Sequence, residues 1–87
     1  MKLHTHAVGR VSVVIMDQDK GILSHVAATP DELWSWMRLA DSNSEGDDAF
    51  FLSESEWREV VQALDRHGAV HVETEYDCDL VVIRHLR

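Results

Sequence analysis

Between Val11 and Met16 the chain is apolar at almost every position, with Val11, Val13 and Ile15 alternating against Ser12, Val14 and Met16. A strand that carries apolar side chains on both faces belongs in the middle of a sheet. The next residues, Asp17-Gln18-Asp19-Lys20-Gly21, are turn chemistry, and Gly21 suits the left-handed position of a bulged hairpin. Ile22 to Ala27 then returns as the partner strand. Towards the other end, Val70, Val72 and Thr74 alternate with His71, Glu73 and Glu75, the period of a strand with one face buried. A turn around Asp77-Cys78-Asp79 leads into the apolar run Leu80-Val81-Val82-Ile83.

Between these hairpins the period changes to that of helices. In Thr29-Pro30-Asp31-Glu32 the threonine can cap, proline fits the first helical position and Glu32 lies three residues past the cap. Leu33, Trp36, Met37 and Ala40 recur at helical spacing and are the expected buried face, with Trp34 off it, one turn from Arg38. This helix should end near Asp41. A second start, Ser53-Glu54-Ser55-Glu56, is a capping box, and Leu52 before it with Trp57 inside it matches a hydrophobic staple. Trp57, Val60, Val61 and Leu64 form its expected inward stripe, and Gly68 is placed to end it. The spacing therefore predicts helices over residues 30–41 and 54–67.

The order hairpin, two helices, hairpin predicts an α+β fold: an antiparallel sheet of about four strands with the helices packed on one face. Leu3 to Val8 is a further candidate edge strand. With 87 residues, the chain is expected to be a single domain over 1–87, because two would leave neither half enough chain for a core. A domain this small is also compatible with a homodimer.

Composition removes several functions. Sixteen acids against eight bases give a net charge of −8, which disfavours direct contact with nucleic acid or an anionic membrane. Met1 to His6 lacks the apolar run of a signal peptide and no stretch approaches the length of a membrane span, so the cytoplasm, or a host's cytoplasm, is the expected location. Cys78 is the one cysteine, which excludes an internal disulfide and any multi-cysteine zinc site.

The candidate chemistry is sparse. Of six histidines, His4 and His6 share a strand face and could chelate an ion if His71, His85 or an acid of the 77–79 turn converged on them. No complete ligand set is evident, and neither a metal nor a cofactor is expected. Asp17-Gln18-Asp19 opens like a calcium loop but has glycine one position early and Ala28 where glutamate belongs. Cys78 lies between two aspartates, which disfavour a reactive thiolate. No phosphate-binding glycine loop or nucleophile–base pair is present, so the chain is not expected to be an enzyme.

Charge distribution says more. Residues 41–59 hold seven acids and one base, and residues 73–79 hold four acids and no base. These blocks read either as a solubilising surface or as a footprint for a basic partner. On the second reading Asp41, Glu45, Asp47, Asp48, Glu54, Glu73, Glu75, Asp77 and Asp79 contact the partner, and the Phe50-Phe51 pair, Phe50 first, supplies its anchors. Phe50, Phe51 and Leu52 also suit the simpler role of tying the loop into the core. The expected function is a non-enzymatic protein-binding module for a protein with a basic surface. One form is a phage-type inhibitor that presents carboxylates where nucleic-acid phosphates would lie. The alternatives are a small histidine-based metal- or ligand-binding domain and an accessory subunit of an enzyme.

Overall fold

The computed structural model describes residues 1, 10–41, 48–74 and 76–85. Their elements run β1 (Val11–Asp17), β2 (Gly21–Ala27), α1 (Pro30–Ala40), α2 (Glu54–His67), β3 (Ala69–Glu73) and β4 (Cys78–Arg84). The strands form one four-stranded sheet in the order β2-β1-β4-β3, with every pairing antiparallel. The fold is α+β, and β1 lies inside the sheet as its apolar sequence requires. The proposed edge strand Leu3 to Val8 lies outside the described residues.

The turn chemistry behaves as its residues dictate. Asp17 Oδ1 accepts from the backbone N–H of Asp19 at 2.8 Å and of Lys20 at 3.1 Å, and Gly21 takes φ 81° opposite Asp17. Thr29 caps α1 through the Glu32 N–H. Ser53 accepts from the Glu56 N–H while Glu56 accepts from the Ser53 N–H, completing the capping box of α2. Gly68 ends α2 in the left-handed conformation, its N–H donating to Leu64 O at 2.8 Å. Here only glycine escapes the Cβ penalty.

Register divides the sheet into two unlike faces. Val11, Val13 and Ile15 of β1 and Cys78, Leu80 and Val82 of β4 are buried and join Leu33, Trp34, Met37, Trp57, Val60 and Leu64 of the helices in one core. Val70 and Val72 of β3 pack against it from the edge. The outer face carries Ser12, Val14 and Met16, Ile22, Ser24 and Val26, Asp79, Val81 and Ile83, and Ala69, His71 and Glu73. Ile22 and Val26 are 74% and 53% exposed there. Both faces of β1 are thus apolar, but only one is covered by the described residues.

Three expectations change. Trp34 was expected off the buried face of α1 but is in the core, its ring stacked on Trp57 at 5.4 Å. Trp36 is partly buried and lies parallel to His25 at 4.4 Å, so the buried stripe of α1 is centred nearer Trp34. Val61 is likewise partly buried. Cys78, expected in a turn, is the first residue of β4, and its thiol is buried.

Candidate functional site

The described parts of the two acidic blocks are brought together by three adjoining turns. Gln18 N–H donates to Asp77 O at 3.3 Å, tying the β1–β2 turn to the β3–β4 turn. The Lys20 ammonium bonds Asp41 Oδ1 at 2.6 Å and sits 5.1 Å from the centre of the Phe50 ring. Phe51, from the segment before α2, meets Tyr76 of the β3–β4 turn at 4.8 Å between ring centres. One end of the sheet therefore gathers Asp17, Asp19, Asp41, Asp48, Asp77 and the start of α2. Bonds from Arg84 N–H to Gly68 O and from His85 N–H to Arg10 O gather Arg10, Arg66, Arg84 and His85 near the other end. Asp65, bonded to Arg84 at 2.6 Å, and the first-turn acids Asp31 and Glu32 offset these cations, so the excess of negative charge lies at the turn end.

The expected contact residues divide by their surroundings. Asp41 is 8% exposed, and its Oδ2 accepts the Phe50 N–H at 2.7 Å. It is an internal clamp, not a surface charge. Phe50 is 1% exposed and cannot anchor a partner, because its ring belongs to the core. Phe51 is the exposed member of the pair, as is Tyr76 across from it. Asp48, Glu54, Glu73 and Asp77 are exposed and Asp79 is half-buried. Glu54 pairs with Arg58 one helical turn on at 2.9 Å, a surface contact of small energy. Glu45, Asp47 and Glu75 lie outside the described residues.

The Phe50–Phe51 turn is unusual in its backbone. Ala49 and Leu52 exchange both N–H to O bonds, at 3.0 and 2.9 Å, and the two phenylalanines between them have φ 48° and 67°. Two positive φ values define a tight hairpin turn for which Asn-Gly is the favoured pair. Bulky side chains there carry backbone strain. The Asp41 clamp and Phe50 burial hold the turn closed, and that closure presents Phe51 outward. Adjacent identical residues give no signal of which one faces the core, and of the Phe50-Phe51 pair it is Phe51 that is exposed.

The histidines separate. His4 and His6 lie outside the described residues. His85 Nε2 is 2.9 Å from Ser12 Oγ on the outer face. His71 Nε2 is 3.4 Å from Asp79 Oδ1, and His71, Glu73 and Asp79 offer ligand atoms within 4.8 Å of one another. That trio follows from register, since Glu73 is paired directly with Asp79 and His71 is two residues away on the same face.

Burial pushes the Cys78 thiol up to about 11, and the negative charges of Asp17 and Asp79 add to the effect. Such a thiol is a poor nucleophile at neutral pH. A shallow depression of about 280 Å³ between the hairpin turns is lined by Met16, Asp17, Gln18, Gly21, Ile22, Asp77 and Asp79. No helix among the described residues is long and apolar enough to cross a membrane. Compared with known proteins, the chain matches no family model, no curated protein and no solved structure.

Proposed function

We propose that the protein is a non-enzymatic binding module that docks its acidic end onto a basic surface of another protein. One observation carries this reading. Described residues of the two acidic blocks, Asp48 of the first and Asp77 of the second, come to one end of the fold, around the exposed Phe51–Tyr76 ring pair. Carboxylates steer a basic partner and raise its association rate, while apolar rings supply the contact that holds it. A surface that normally binds nucleic acid fits this chemistry, because spaced carboxylates can stand where phosphates would lie. The location that goes with this reading is the cytoplasm, or a host's cytoplasm.

The test compares tagged wild type with an Asp48→Lys/Asp77→Lys variant and with Phe51→Ala in pull-downs from nuclease-treated extract of the native host. The expected result is a protein retained by wild type, released by moderate salt and by added duplex DNA. The double reversal should lose it mainly through slower association, and Phe51→Ala through faster dissociation. A captured protein indifferent to salt, to DNA and to all three substitutions would exclude the acidic end as its docking surface.

The His71, Glu73 and Asp79 trio supports a second reading, a divalent-metal site on the β3–β4 edge. The 3.4 Å separation of His71 Nε2 and Asp79 Oδ1 matches two corners of a tetrahedral zinc shell with bonds of about 2.1 Å. Zinc titration by calorimetry tests it: binding lost in His71→Ala favours this reading, and no heat at any zinc concentration removes it.

A further inference from the structure

We propose that the outer face of the sheet is the interface of a symmetric homodimer, formed with a second copy of this chain. The face is apolar through its middle, where Val14, Met16, Ile22, Val26, Val81 and Ile83 surround Ser12 and Ser24. Ile22, Val26, Met16 and Ile83 are all exposed in the single chain. An antiparallel sheet with one solvated face normally turns polar side chains outward, and a contiguous apolar surface marks a binding surface.

Charge identifies the occupant. The face is acidic at the turn end, through Glu73 and Asp79, and basic at the far end, through Arg10 and His85. The bond from His85 N–H to Arg10 O carries the β1–β4 register one step past Val11 and Arg84, which places Arg10 and His85 across from each other on this face. A two-fold axis lying in the interface and perpendicular to the strands sets β1 over β1 and β4 over β4 in opposite directions. Arg10 of the second copy then falls on Met16, and His85 of the second copy on Asp79. Arg10 thus enters the depression lined by Met16, Ile22, Asp77 and Asp79, with its aliphatic stem on the apolar pair and its head at the carboxylates. The same contacts repeat across the axis, as an isologous interface requires. A parallel arrangement would instead oppose acid to acid.

Size sets the strength. Four strands spaced about 4.8 Å apart and at most seven residues rising about 3.4 Å each give a face of at most roughly 19 by 24 Å, about 450 Å² in outline. That outline is about half of the roughly 800 Å² that each partner buries in a stable interface, so the dimer is weak, monomer and dimer exchange, and concentration decides their ratio. Two aligned sheets pack about 10 Å apart at an angle near −30°. This pairing does not use the Phe51–Tyr76 rings, but it shares Asp77 and Asp79 with the acidic end, so the Phe51→Ala variant separates the two proposals: it should leave the dimer unchanged.

Sedimentation equilibrium of the full chain from micromolar to millimolar concentration tests the proposal. The expected result is a mass rising from one chain towards two. Val81→Lys, at the centre of the face, should hold the protein at one chain. Arg10→Asp should raise the midpoint concentration at least tenfold at low salt, and Arg10→Asp with Asp79→Arg should restore it. Circular dichroism checks that each variant is folded, and the rescue by the double exchange cannot arise from misfolding. A single-chain mass at every concentration overturns the proposal, as does an association indifferent to these substitutions. If the single chain also resists peroxide oxidation at Met16, the face is covered by the chain's own residues 2–9 instead of a second copy.

Discussion

Two adjacent phenylalanines should respond to the same substitution in opposite ways. Phe50 is 1% exposed and among the largest fully buried side chains, whereas Phe51 is 52% exposed. Truncating a buried phenylalanine removes its transfer energy and leaves a cavity, so Phe50→Ala should cost about 3–5 kcal/mol. The whole stability of a domain this size is about 4–13 kcal/mol at the usual value per residue. At about 4–8 °C per kcal/mol, the melting temperature should fall by tens of degrees. Phe51→Ala loses the Tyr76 ring contact and little buried area, so about 0.5–1.5 kcal/mol is expected. Its φ of 67° adds a second comparison. Alanine keeps the Cβ that makes this conformation costly, so Phe51→Gly should be more stable than Phe51→Ala by about 1 kcal/mol, relief of the strain exceeding glycine's loss of chain entropy. Urea unfolding followed by tryptophan fluorescence reads all three, because Trp34 and Trp57 stack in the core. Equal costs for the two alanine variants would refute the assignment of core and surface rings. A glycine variant weaker than alanine would refute the left-handed turn.

Ser53→Ala should destabilise by about 1 kcal/mol through loss of the cap on the Glu56 N–H, measured by the same unfolding curves. The Ser53 backbone N–H and hydroxyl hold Glu56 below its ordinary value near 4.5, so its contribution is present above that value and is lost as pH falls through the lowered one. Thermal melts from pH 6 downward should show a smaller acid dependence in Glu56→Gln than in wild type. The Cys78 thiol has the opposite sign: raised from 9.0 to about 11, it stays neutral in the fold while the unfolded chain ionises. Stability should therefore fall between those two pH values by about 2–3 kcal/mol, and Cys78→Ala should remove that slope, whatever its own packing cost.

The elements that were legible in the chain owe their form to neighbours in sequence. The second helix spans Glu54–His67 because Ser53, Glu56 and Gly68 satisfy its ends from within a few residues. Gly21 and Asp17 close the first hairpin in the same local way. Trp34 was misplaced because Trp34, Trp36 and Met37 permit two neighbouring stripes on one helix. The choice between them depends on Trp57, which lies on the other helix and offers Trp34 a flat ring. Phe50 and Phe51 were equivalent by type, and what separates them is a clamp from Asp41, nine residues earlier. The His71, Glu73 and Asp79 trio needs the β3–β4 register, which alternation alone does not supply. The uncovered outer face is a further tertiary fact. Apolar residues lie on both sides of β1, and among the described residues only one side is covered.

The same distinction changes how the acidic blocks count. Residues 41–59 read as one strongly negative segment, yet its carboxylates do different work. Asp41 holds Lys20 and the Phe50 N–H, Glu56 completes the capping box, and Glu54 is opposed by Arg58. The charges presented at the described surface are therefore led by Asp48, Glu56, Glu59, Glu73 and Asp77, with Asp79 at the margin of the outer face. Asp41 and Glu54 are each offset by a cation, whereas Glu56, bonded only to neutral groups, keeps its charge, so the field at this end is weaker than the count of acids implies. The clamp and the presented rings are nevertheless coupled. Removing the Asp41 carboxylate frees the Phe50 N–H, and hydrogen bonds to charged groups are worth about 1.5–3 kcal/mol, enough to loosen a turn already held against backbone strain. Phe51 then loses its fixed place beside Tyr76. On the proposed reading, Asp41 would act on binding indirectly, by keeping the exposed Phe51 ring in position, whereas Asp48 would act through the field it projects.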